Sequence, residues 1–273
     1  MNLLVVDWDY FWEMIEPGHP KAAQNSQWTL YDWGHSEGGS MAAFMYDAIW
    51  YTRAASFLHR GLPLPDTSGL ELTFWQRFRF HKNARIFYAN SNVQAYDRRI
   101  ARHIQRGDEL WLFDAHHDCG GYRFNMEETM KREYVTCEDW MVPYGFKGVK
   151  LFMRYPKWRA YAMDAEPEPL IKHNPPILHM DRQVDDEQTV ATTFHRVFVC
   201  KSGAWTPAWG DGKFEKFLLD CPVKGKRYSL DDVPPRVWDM AAAERDAAEI
   251  KQQLNRVAEL NAQERTKETQ SSC

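Results

Sequence analysis

Leu110-Trp-Leu-Phe-Asp114-Ala-His116-His117-Asp118-Cys-Gly-Gly121 decides the reading of this chain. Four apolar residues run straight into Asp-x-His-x-Asp and then a glycine pair. An apolar run of that length, closed by turn residues, predicts a buried parallel strand. The polar cluster then falls at the strand's carboxyl end, where open α/β sheets bind their ligands. Asp114, His116 and Asp118 alternate, so they can converge once the strand breaks into a loop. Two carboxylates and an imidazole suit a hard or borderline divalent ion such as Mn²⁺ or Zn²⁺.

The chain opens on a second strand of the same kind, Leu3-Leu-Val-Val-Asp7-Trp-Asp9-Tyr-Phe11. If the two strands are sheet neighbours, Asp7 and Asp9 stand opposite Asp114 and His116. Together they complete one metal shell or bridge two ions. Burying so many carboxylates without a cation is costly.

Phe113-Asp114-Ala-His116-His117-Asp118 resembles the Asp-Ala-His-x-Asp motif of the arginase/deacetylase superfamily, also called ureohydrolase-like. Upstream, Ile86-Phe-Tyr-Ala-Asn90-Ser-Asn92 reads as a strand and turn, with a helix expected over about Val93–Gln105. Arginases hold a Gly-Gly-Asp-His turn there, whose histidine ligates metal. This chain has Asn90-Ser91-Asn92, and asparagine ligates only through its carbonyl oxygen. The family's late Asp-x-Asp has no clean match downstream, where Asp181 is the nearest candidate. Asp7-Trp8-Asp9 has the right form but comes first, which implies a permuted strand order. His195 to Pro207 is similar to the Arg-Ser-Pro-x-Thr-Pro segment of a branch that includes peptide arginases.

The resemblance implies a three-layer α/β/α fold with a mainly parallel sheet, and a metal-dependent hydrolase that cleaves a C–N bond. The implied cofactor is Mn²⁺ or Zn²⁺, one or two ions, held by Asp7, Asp9, Asp114, His116 and Asp118. The substrate is a small molecule or peptide with a guanidino or amide group. His117 or His35 is the candidate proton shuttle. Asn92, Asp32, Glu37 and Lys201 are the candidates for substrate contact. Two other readings stay open. A haloacid-dehalogenase-like phosphatase would use Asp7 as nucleophile, with Lys201 and Asp114/Asp118 as partners, and would leave His116 without a role. A non-catalytic scaffold would carry a degenerate site.

At 273 residues the chain can bury a substantial core. Residues 1–233 read as one α/β domain, and Pro234-Pro235 as a boundary before residues 234–273. A net charge of −4 offers no electrostatic ground for nucleic-acid binding. No apolar run reaches the roughly 20 residues that span a bilayer. The five cysteines lack paired spacing, and cytoplasmic residence is the default expectation. Twelve tryptophans are unusual. Trp8, Tyr10, Phe11, Trp12, Trp28, Tyr31 and Trp33 lie beside the acidic clusters in sequence, as core or as the wall of a pocket. Further helices are expected over Ser40–His59, Tyr122–Tyr134 and Phe214–Leu219, and strands over Val149–Met153 and Phe194–Cys200. From Arg236 to about Thr266 an amphipathic helix packs on the domain or pairs with another copy, and Lys267–Cys273 reads as disordered.

Overall fold

The computed structural model describes residues 1–13, 40–121, 124–160, 166–170, 180–231 and 236–271. β1 (Asn2–Asp7) carries Leu3, Leu4, Val5 and Val6, all with no exposed surface. A strand apolar on both faces belongs in the middle of a covered sheet, and that is its place. Among the described residues the sheet has seven strands, all parallel, in the order β5-β4-β3-β1-β6-β2-β7. The others are β2 (Arg79–Ala89), β3 (Glu109–Phe113), β4 (Lys150–Tyr155), β5 (Met180–Val184), β6 (Thr193–Cys200) and β7 (Arg227–Ser229). Among the described residues six helices accompany them: α1 (Ser40–Leu58), α2 (Arg98–Ala101), α3 (Met126–Lys131), α4 (Val142–Phe146), α5 (Asp211–Asp220) and α6 (Met240–Ser271).

Alternate residues of the central strands feed two separate cores. Leu4 and Val6 join Trp8, Phe11, Trp12, Trp50, Phe74 and Phe217 on one face. Leu3 and Val5 join Ile100, Leu112, Trp140, Tyr144 and Phe198 on the other. Two cores, one per sheet face, are what a sheet covered on both sides requires. Trp8, Tyr10, Phe11 and Trp12 are thus core rather than pocket wall. Trp28, Tyr31 and Trp33 lie outside the described residues.

The neighbour relation that the sequence argument needs is present. β1 lies between β3 and β6, with Val6 opposite Phe113 and Asp7 opposite Cys200. The chain runs from β1 to β2 on one side, then crosses to β3 on the other. β1 is therefore the switch point of the sheet, where the carboxyl ends of the strands leave a crevice.

Three local expectations are corrected. The helix expected over Val93–Gln105 is instead a 3₁₀ turn at Asn92–Tyr96 and the single turn of α2. Ser91 caps the first through Val93 N–H and Asp97 caps the second through Arg99 N–H, so each cap starts a new segment. The helix expected over Tyr122–Tyr134 shrinks to α3. Its start is set by the reciprocal Asn125–Glu128 capping box, and Arg132 is already extended. At the far end, α6 continues to Ser271 through residues expected to be disordered, over a stretch with no glycine or proline to stop it. Ala243 and Ala247 are buried where α6 begins, and α6 packs against α1. Residues 251–263 are exposed throughout. The expected boundary at Pro234-Pro235 lies outside the described residues. Among those described, no helix is long and apolar enough to cross a membrane.

Candidate metal centre

Asp7 ends β1 and caps the 3₁₀ turn Trp8–Phe11, its Oδ1 accepting from Asp9 N–H at 3.2 Å. This cap bends the chain so that Asp9 returns over the strand end. Asp114 does the same after β3, with Oδ1 accepting from His116 N–H at 2.8 Å. The two tips are joined directly by Ala115 N–H, which donates to Asp9 Oδ1 at 3.4 Å. His116 Nδ1 then sits 3.4 Å from Asp9 Oδ2 and 3.6 Å from Asp114 Oδ1.

Asp9, Asp114 and His116 each offer a ligand atom, and these atoms lie within 4.8 Å of one another. A tetrahedral ion with bonds of about 2.1 Å needs ligand atoms about 3.4 Å apart. The two spacings from His116 Nδ1, 3.4 and 3.6 Å, fit that requirement, as does the donor chemistry of two carboxylates and one imidazole.

The second oxygen of Asp114 faces another group. Asn92, at the start of the turn after β2, places Nδ2 2.5 Å from Asp7 Oδ2, 3.0 Å from Asp114 Oδ2 and 2.8 Å from Asp118 Oδ2. Asp118 has left-handed backbone, φ 47°, and its Oδ2 also accepts from Trp140 Nε1 at 2.7 Å. Ser202, φ 51°, donates from Oγ to Asp7 Oδ2 at 3.1 Å. Left-handed non-glycine residues cost conformational energy and cluster where geometry matters. Both of these aim a polar group into the cluster.

Asp7, Asp9, Asp114, Asp118 and Asn92 are all buried. Burial, followed by the charges of Asp9, Asp118 and Asp7, holds the Asp114 carboxyl well above the usual carboxylate range. Four carboxylates in one buried pocket repel one another until a cation joins them. His116 is the one ligand candidate with appreciable exposure, 19% of its side chain. The half-buried Trp205 ring lies beside it, centroids 6.0 Å apart.

Six residues singled out in the sequence thus meet at one point: Asp7, Asp9, Asn92, Asp114, His116 and Asp118. Others do not. His117 is fully buried, with Nε2 donating to Pro167 O at 2.8 Å and Nδ1 accepting from Cys119 N–H at 3.0 Å. Both ring nitrogens serve backbone groups, and burial lowers its pKa, so the shuttle role expected of it is corrected to a structural one. Lys201 Nζ reaches Asp211 Oδ2 at 2.5 Å, a carboxylate it shares with Arg236, and substrate contact is corrected to an ion pair. Asp181 lies on β5, at the sheet edge, paired with Arg154. Asp32, His35 and Glu37 lie outside the described residues.

Trp140 is a contact that the candidate residues omitted, whereas Ser202, at the carboxyl end of the Phe194–Cys200 strand, is expected from the sequence to face the same site and does so. Ser202 carries a signal in its position directly after a buried strand. Trp140 has none, because nothing in its local sequence relates it to Asp118. No family model, curated protein or solved structure matches the chain.

Proposed function

We propose that this chain is a metal-dependent hydrolase of the arginase/deacetylase type, cleaving a C–N bond in a guanidino or amide substrate. The observation that carries the reading is the convergence of Asp9, Asp114 and His116 at the carboxyl ends of two adjacent central strands. Asp7 and Asp118 complete the acidic shell around them. The ion implied is Mn²⁺ or Zn²⁺, which supplies an acidified water and a Lewis acid for the reacting carbonyl or guanidinium carbon.

The residues themselves account for the rest. Asp7 holds the turn that delivers Asp9. Asp114 fixes His116 by accepting its backbone N–H. Trp140 and Ser202 donate to Oδ2 of Asp118 and Oδ2 of Asp7, the same oxygens that face Asn92, which orients these carboxylates. The approach is past His116, the most exposed member, and the half-buried Trp205 ring beside it is the kind of aromatic neighbour that holds a planar cation such as a guanidinium.

A phosphatase using Asp7 as nucleophile is less well supported. Its carboxylate is 3% exposed, both oxygens accept hydrogen bonds, and Lys201 is engaged by Asp211. A scaffold without catalysis would have no use for a strained, buried acidic cluster.

The test is metal analysis joined to a substrate panel. Purified protein should carry near-stoichiometric Mn or Zn, and should release urea or amine from guanidino or amide compounds. Asp114→Ala should lose both properties. Wild-type metal content in Asp114→Ala would refute the assignment, and phosphate release lost in Asp7→Asn would favour the phosphatase instead.

A further inference from the structure

Asp114 faces two ways. Oδ1 belongs to the group with Asp9 and His116, while Oδ2 belongs to a second group with Asp7 Oδ2 and Asp118 Oδ2. A carboxylate bridging two oxygen-rich groups is the arrangement of a two-ion centre. In this chain, however, the focus of the second group is occupied by a side chain. Asn92 Nδ2 lies 2.5–3.0 Å from all three carboxylate oxygens.

The orientation of that amide follows from charge. Turned over, it would place Oδ1 against three carboxylate oxygens with nothing positive between them. With nitrogen inward, two N–H groups serve the three oxygens, and Oδ1 is left buried without a hydrogen-bond partner among the described residues. A buried amide oxygen with no partner costs about 1–3 kcal/mol. The fold accepts that cost in order to keep the nitrogen at the focus.

We infer that Asn92 is a built-in replacement for a second cation, so that the centre holds a single ion at Asp9, Asp114 and His116. This rests on the metal reading above and narrows it. The N–H dipoles of the amide partly offset the charges of Asp7 and Asp118, and its bulk excludes an ion from their focus. Asn92 is a specificity-determining residue for metal number. It touches the carboxylates without ligating the ion.

Mn²⁺ titration of the full chain, followed by equilibrium dialysis and electron paramagnetic resonance, tests this. Wild type should bind one Mn²⁺ with an uncoupled spectrum. Asn92→Asp supplies a carboxylate in place of the amide, and should bind two ions with an exchange-coupled signal. Asn92→Ser removes the bulk without adding charge, and should also admit a second, weaker ion, which covers the case in which the aspartate variant fails to fold. Two coupled ions in wild type would overturn this inference and leave the metal reading intact. So would one ion in both variants when circular dichroism shows them folded. No ion in wild type, with Mn²⁺ or with Zn²⁺ in the same dialysis, would overturn both.

Discussion

Asp114 concentrates the electrostatic problem of the site in one residue. Its carboxyl is held above the usual range by burial and by the neighbouring carboxylates. In the unfolded chain it titrates near the ordinary value of about 3.9. The folded, metal-free protein therefore keeps a proton that the unfolded chain has lost. The stability this gives is complete below the ordinary value and disappears as pH rises through the elevated one. Unfolding free energy of the metal-free protein should therefore fall as pH rises above the ordinary carboxylate value of about 3.9, measured by urea denaturation in chelator. Asp114→Asn should flatten the slope, as should saturating Mn²⁺, which replaces the proton. An unchanged slope in Asp114→Asn would remove Asp114 as its source. The residues of this cluster were legible because carboxylates at the ends of apolar strands carry a local signal. Choosing between adjacent imidazoles was harder. Both histidines follow the end of β3, yet His116 keeps 19% of its side chain exposed whereas His117 is fully buried. Once the strand breaks, backbone contacts with Pro167 and Cys119 decide its role, and neither is visible in the spacing.

Among elements, the 3₁₀ turn Trp8–Phe11 has the most demanding task, because it carries Asp9. It is held at its base by Asp7 and at its side by Tyr10, whose hydroxyl donates to Asp185 Oδ2 at 2.5 Å. Arg77 grips the same carboxylate through both of its oxygens, at 2.5 and 2.7 Å. Tyr10 is buried, and burial followed by the Asp185 charge keeps its phenol protonated. Tyr10→Phe preserves the ring contacts with Phe11, Phe74 and Phe113 and removes only the donor. It should lower stability by about 1–3 kcal/mol. It should also weaken metal binding about tenfold, the usual effect of losing support behind a ligand. Thermal unfolding with Mn²⁺ titration checks both, and unchanged metal affinity would mean that Asp9 is held without this tether. The strand positions of β1, β3, β4 and β6 were readable from apolar runs alone. The tether was not, because Asp185 is 175 residues away and joins the turn only through the folded sheet. Short helical pieces were also opaque, since Ser91 and Asp97 caps divide a segment whose composition permits one helix.

On the scale of the molecule, the parallel sheet and its switch point could be argued from two strands with acidic tips, because a carboxylate pair needs a neighbour to justify its burial. The remaining order, with β2 beyond β6 and β5 at the opposite edge, depends on crossovers that leave no periodic trace in the sequence. α6 shows how far a sequence pattern can outrun the domain that uses it. Its apolar stripe continues past the part that packs on α1: Ala243 and Ala247 are buried, whereas Leu254, Val257 and Leu260 are each more than half exposed. Residues 251–263 contribute no buried surface to either core, so they should contribute little to the stability of the chain. Replacing the exposed Leu254, Val257 and Leu260 together by Gln should keep the metal content and leave the unfolding temperature within about 2 °C of wild type, since surface changes of this kind usually amount to under 0.5 kcal/mol. Differential scanning calorimetry with metal analysis provides the check, and light scattering shows whether the expected pairing of copies through α6 is lost at the same time. A larger drop in unfolding temperature, with a fall in molecular mass, would mean that the exposed stripe is covered by another copy in solution and that the fold depends on it.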